Sequence, residues 1–139
     1  MLLDEFYAYK NRLMKDLLTD EKIVKLIDEN IDIDEARKLA YTQVFPYEYV
    51  PETIEHGRTF ICFDVDIQSV QSKTFLNPVL YIWVFTHKSL MHLSEGGVRT
   101  DKLVSEIDRV LNGSRYYGLG ELNLYSVKRF APMTAYQGK

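Results

Sequence analysis

The sequence predicts an α+β fold: N-terminal helices followed by a β-β-α-β unit, with a mostly antiparallel sheet and a helix packed on one face. Three observations lead there. Two very apolar, strand-like runs occupy residues 59–67 and 78–87. Residues 100–112 follow them with the apolar spacing of an amphipathic helix, and residues 121–130 return to a strand pattern. A small layered domain of one sheet and covering helices satisfies all three.

Residues 3–18 read as a helix in which Leu3, Phe6, Leu13 and Leu17 share a face, flanked by Met14 and Leu18, while Lys10, Arg12 and Lys15 face water. Thr19-Asp20 breaks the pattern. Asp20 and Glu21 then bring negative charge to the positive end of a second short helix that runs to Asp28 and carries Ile23, Leu26 and Ile27. Residues 29–57 are the least regular stretch, with a helical turn from Ala36 to Ala40. Pro46 and Pro51 force extended backbone before each of them, so Phe45, Tyr47 and Tyr49 predict an ordered loop anchored by aromatic rings.

In the first strand Ile61, Phe63, Val65 and Ile67 alternate with Phe60, Cys62, Asp64 and Asp66. Residues 68–77 are polar and predict a hairpin loop. Pro78 opens the second strand, where a missing N–H is tolerated. That strand has no polar face. One side packs on the helix; the other carries Tyr81, Trp83 and Phe85 and must also escape water, which predicts cover by another subunit. Ser94-Glu95-Gly96-Gly97 turns the chain. Thr100 is the expected N-cap of the next helix, whose buried stripe is Leu103, Val104, Ile107, Val110 and Leu111, and Asn112-Gly113 ends it. Gly118-Leu119-Gly120 marks a tight turn into the last strand, with Leu122 and Leu124 on one face, and Ala135-Tyr136 forms a short edge strand.

The chain is read as one domain over residues 1–139: helices to 28, the ordered loop at 29–57 and the β-β-α-β core from 58. At 139 residues, it is long enough to hide roughly two-thirds of the surface its unfolded form exposes. Ten Tyr and seven Phe favour surfaces that become interfaces, because Tyr joins an apolar body to a polar tip. A formal net charge of −3 opposes a dedicated nucleic-acid binder. The lone cysteine, Cys62, is expected to be buried and reduced. The start has neither a basic segment nor a long apolar one and predicts no signal peptide; no apolar stretch has the ~20 residues of a membrane helix.

Residue constellations for chemistry are weak. Asp64 and Asp66 point the same way along a strand, roughly 6–7 Å apart, and such a pair can hold a divalent ion for phosphoryl chemistry. No further ligands are placed by spacing, so a wet strand face is the simpler reading. Residues 28–39 start like a calcium loop but have Ile33 where Gly is needed and Leu39 where Glu is needed. His56, His87 and His92 make no ligand motif, and Ser105 and Ser114 lack a partner at recognisable spacing. Gly96-Gly97 precedes a helix without the Gly-Lys-Ser/Thr ending of a phosphate loop. Arg115 beside Tyr116 and Tyr117 fits either an interface or an exposed loop. No residue is assigned a catalytic, cofactor-binding or metal-binding role, and no cofactor is expected.

From Phe45 onward the chain resembles the tail terminator (tail completion) proteins of tailed bacteriophages and prophages. The stretches that carry the likeness are Pro46-Tyr47-Glu48-Tyr49-Val50-Pro51-Glu52-Thr53, Thr59-Phe60-Ile61-Cys62-Phe63-Asp64-Val65 and Leu80-Tyr81-Ile82-Trp83-Val84-Phe85-Thr86-His87-Lys88. Val98-Arg99-Thr100-Asp101-Lys102-Leu103, Ile107-Asp108-Arg109-Val110-Leu111-Asn112-Gly113 and Gly118-Leu119-Gly120 complete it. The resemblance implies a homo-oligomeric ring, typically of six copies, that sits in the virion neck. The ring stops growth of the tail tube, offers a face to the head-completion or stopper protein and, in contractile tails, meets the sheath. It would be assembled in the cytoplasm of the host bacterium, would let DNA pass through its lumen without specific binding, and would have no membrane contact. Tyr81, Trp83, Phe85, Arg115, Tyr116 and Tyr117 are the expected interface. Asp64, Asp66 and the acidic run at residues 32–35 are the expected lumen lining. Two other readings stand beside it: a different head–tail connector component (adaptor or stopper), or a small metal-dependent nuclease or hydrolase built on Asp64 and Asp66.

Overall fold

The computed structural model describes residues 5–49, 57–70, 76–114, 121–133 and 136–139. Helices α1 (Glu5–Thr19) and α2 (Glu21–Ile27) come first, then a 3₁₀ helix, Ile33–Leu39. Strands β1 (Val44–Phe45), β2 (Thr59–Val70) and β3 (Leu76–His87) follow, then α3 (Arg99–Leu111), β4 (Phe130–Met133) and β5 (Tyr136–Gly138). The sheet order is β1-β2-β3-β5-β4. Every pairing is antiparallel except β1 with β2. The α+β fold predicted from the sequence is the fold observed.

Local chemistry explains the helices. Tyr9, Leu13 and Leu17 recur every four residues on α1 and are buried, with Leu18 beside them. Asp20 caps α2: its side chain accepts from the Ile23 N–H at 3.1 Å. The turn before α3 uses left-handed backbone at Gly96 (φ 98°) and Gly97 (φ 93°), which glycine adopts without steric cost. Leu103, Ile107 and Leu111 form the buried stripe of α3.

These helices cover one sheet face. Ile61, Phe63 and Val84 meet Leu13, Leu17, Ile23, Val24, Leu103 and Ile107 in the main core. The opposite face holds a second, aromatic cluster of Phe45, Phe60, Cys62, Phe85 and Tyr136, with Trp83 packed against it. At the inner end of the hairpin Thr59 and Thr86, both buried, share a hydrogen bond between hydroxyls at 2.7 Å.

Five expectations are corrected. Residues 121–129 are not a strand; β4 starts at Phe130. Their leading end is held by the turn after α3 instead, where Gly113 N–H donates to Leu122 O (2.6 Å) and Leu122 N–H to Ser114 O (2.9 Å). The place beside β3 is taken by β5, so Tyr136 lies in an interior strand rather than at an edge. Thr100 is not the N-cap of α3. Val98 takes that position, and the Thr100 hydroxyl is buried inside the first turn against Met91 Sδ at 3.5 Å. Phe85 needs no neighbouring subunit: it is 1% exposed, under Phe60 and Tyr136. Lys10 does not face water, since its ammonium donates to Pro46 O at 3.0 Å and pairs with Asp64 at 2.6 Å. The irregular stretch also contains more structure than expected, with the 3₁₀ helix spanning seven residues and Val44–Phe45 pairing beside Ile61 and Cys62.

Candidate assembly interface

The β2–β3 hairpin outruns the rest of the sheet. β1 pairs only with Ile61 and Cys62. On the other side β5 pairs with Phe85, Thr86 and His87, and Lys139 adds two backbone bonds to Val84. Beyond these points both long edges of the hairpin lack a strand neighbour among the described residues. Ile61 N–H points outward, to Gln43 O, and Val84 N–H points outward, to Lys139 O. Backbone direction alternates, so Phe63 and Ile82, then Val65 and Leu80, also turn their peptide groups to the open edges, where the Val65 N–H is already taken by Asp64 Oδ1. Pro78 stands next in that series and has no N–H to offer, a common way to blunt an edge.

Side chains on the aromatic face change steadily along the hairpin. Cross-strand partners are Phe60 with Phe85, Cys62 with Trp83, Asp64 with Tyr81 and Asp66 with Val79. The first pair is buried, with rings 5.3 Å apart. Trp83 is half-buried, and Tyr81 is 37% exposed and stacked on it at 5.9 Å with planes 14° apart. Tyr81 and Trp83 therefore form an outward platform at the margin of the aromatic cluster. Such a flat, amphipathic pair suits a protein contact. Of the expected interface residues, the structure thus joins Tyr81 and Trp83 and sends Phe85 into the core. Arg115, Tyr116 and Tyr117 lie outside the described residues.

Asp64 and Asp66 are not joined by a third ligand among the described residues. The Asp64 carboxylate is engaged by Lys10 and accepts from the Val65 N–H at 2.8 Å, while Asp66 is exposed. Among the described residues no three His, Cys, Asp or Glu side chains converge as ligands. His87 turns Nδ1 to Ser89 (2.7 Å to Oγ), His92 is exposed, and His56 is outside the described residues. Burial pushes the Cys62 thiol up to about 11, and its Sγ donates to Tyr49 O at 3.5 Å, so it is a core group rather than a nucleophile.

A polar pocket of about 520 Å³ is lined in part by Gln43, Arg58, Thr59, Leu90 and Arg99. Its buried donors are already engaged by backbone carbonyls and the Glu29 carboxylate. Gln43 Nε2 reaches Ile27 O (3.4 Å) and Thr59 O (3.1 Å). Arg99 donates to Leu90 O, Leu26 O and Glu29 Oε1, each at 2.7 Å. These residues fasten α2, the Lys88–Leu90 turn and the start of α3 together. A basic residue in the first turn of α3 opposes the helix dipole, and that mismatch is the sequence signal for a buried clamp.

Residues 121–129 make a second surface that sequence reasoning placed in the sheet. Tyr125 is 95% exposed, Leu124 59% and Val127 49%. The alternation that predicted a strand is present, but no neighbouring strand lies beside it among the described residues. No helix among the described residues is long and apolar enough to cross a membrane. A family model described as YomW matches residues 20–139, which takes in every element after α1. No curated protein and no solved structure matches the chain.

Proposed function

The chain belongs to the YomW family and is phage-related, and from that premise we propose that it is a structural virion protein, a ring-forming tail terminator. In this reading about six copies cap the tail tube and join the tail to the head-completion or stopper protein, with the sheath as a further neighbour in a contractile tail. The observation that carries it is the outward Tyr81–Trp83 platform on a hairpin with two open edges. Ring closure needs two different complementary surfaces per subunit, and an open-edged sheet has them. The engagement of Asp64 by Lys10 weighs against the hydrolase reading and leaves the acidic residues 32–35 as the better candidates to face passing DNA. The mixed α+β pattern weighs against an adaptor, which is mostly helical, and a stopper, which is mostly β. The protein would act in the neck of the virion after assembly in the host cytoplasm, with no catalytic role.

Deletion of the gene tests the reading. Electron microscopy should find tails of uncontrolled length and heads without tails. Tails of normal length, joined normally to heads, would refute it.

A further inference from the structure

We propose that residues 121–129 are a donated strand that adds to the open β2 edge, beyond Cys62, of a neighbouring copy. The inference deepens the ring reading and rests on it for the choice of a second copy as occupant. The segment has the alternation of a strand: Leu122, Leu124 and Ser126 on one side, Asn123, Tyr125 and Val127 on the other. Val127 and Tyr125 belong to the residue types that favour strands. In one copy Leu122 is half-buried against the main core and tied to Gly113 and Ser114, but from Asn123 the segment is exposed and finds no ladder among the described residues; past Leu124, whose N–H donates to Asn112 Oδ1 at 3.2 Å, no backbone bond among them holds it until β4. A sequence that specifies a strand, with no partner for it among the described residues, points to a partner in another molecule.

The acceptor follows from position and charge. The segment leads into β4, the outermost strand on one side of the sheet, whereas the open stretch of β2 lies on the opposite side. Joining them is a head-to-tail contact between unlike surfaces, the kind that closes into a ring. The β2 edge offers the outward peptide groups of Phe63, and beside it Asp66 is exposed with no ion-pair partner among the described residues. Lys128 and Arg129 are exposed and equally unpaired there, so the basic end of the donated segment complements the acidic end of the acceptor edge. Asp66 is then part of a contact between copies rather than of a lumen.

Sedimentation of the full-length protein over a concentration series, with the variants Ser126→Pro, Asp66→Lys and the double variant Asp66→Lys/Arg129→Glu, tests this. Proline removes an N–H that the free chain does not use and keeps the preceding residue extended, so the fold is left intact. The wild type should assemble, and Ser126→Pro should weaken association roughly tenfold or more with an unchanged unfolding curve. Asp66→Lys should also weaken it, and Arg129→Glu should restore much of the loss. A wild type that assembles together with an equally assembled Ser126→Pro variant overturns the donated strand and leaves the ring reading standing. A wild type that stays monomeric throughout overturns both, and failure of the double variant to recover overturns β2 as the acceptor.

Discussion

Asp20 joins two helices through one carboxylate. One oxygen caps α2 through the Ile23 N–H, and the other accepts from Arg109 of α3 at 2.7 Å, while Arg109 also bonds Glu106 at 2.6 Å. Burial pushes the Asp20 carboxyl up, but the hydrogen bonds from Arg109 and Ile23 and the charge of Arg109 outweigh it, so its pKa lies below the ordinary 3.8. A depressed pKa means stability that is present above 3.8 and lost as pH falls through the lower folded value. Asp20→Ala should therefore cost about 1 kcal/mol at neutral pH in chemical denaturation, and the gap between the two proteins should shrink at the acid end. Arg99→Ala should cost more, about 3 kcal/mol, because it strands two carbonyls that a buried cation now serves; urea unfolding measures it. The Asp20 cap could be read from the sequence because a capping carboxylate acts within three residues. Thr100 misled for the same local reason: Arg99 is pinned to Leu90 and Leu26, contacts 9 and 73 residues away in sequence, and the cap falls at Val98, before Arg99.

At the scale of elements, two-residue alternation gave β2 and an unbroken apolar run gave β3, because a strand covered on both faces needs no polar side. It could not give β1, because two residues carry no period, nor the fate of residues 121–129, because alternation specifies an extended backbone and not its neighbour. The interface was legible in part: the apolar second face of β3 was evident, but Phe85 is covered by Tyr136, which arrives from the far end of the chain. Trp83→Ala should separate packing from assembly. Half-buried in the monomer, the indole contributes about 2 kcal/mol to folding, so thermal unfolding should shift modestly while association falls by a far larger factor. Loss of fold without a separable loss of association would mean that the ring is only core. Leu103→Ala, wholly inside the main core, should do the reverse: a cost of about 2–5 kcal/mol in urea unfolding, with the assembly of folded molecules unchanged.

For the molecule as a whole, the two-layer plan was legible because each helix has one apolar stripe and the sheet must be sealed on that side. The family match starts at Asp20, yet α1 contributes Tyr9, Leu13 and Leu17 to the same core as Phe63 and Leu103. Removing residues 1–19 should leave an aggregating remnant, which size-exclusion chromatography would reveal. The hairpin, clamped by strands on both flanks at its base and by none farther out among the described residues, has a consequence for solvent. Deuterium should enter it from the tip: amides at Ile61 and Val84 should be the slowest to exchange, and the outward amides of Phe63 and Ile82 much faster. Protection that spreads outward along one flank only, as the protein is concentrated, would show which side of the arm another molecule grips.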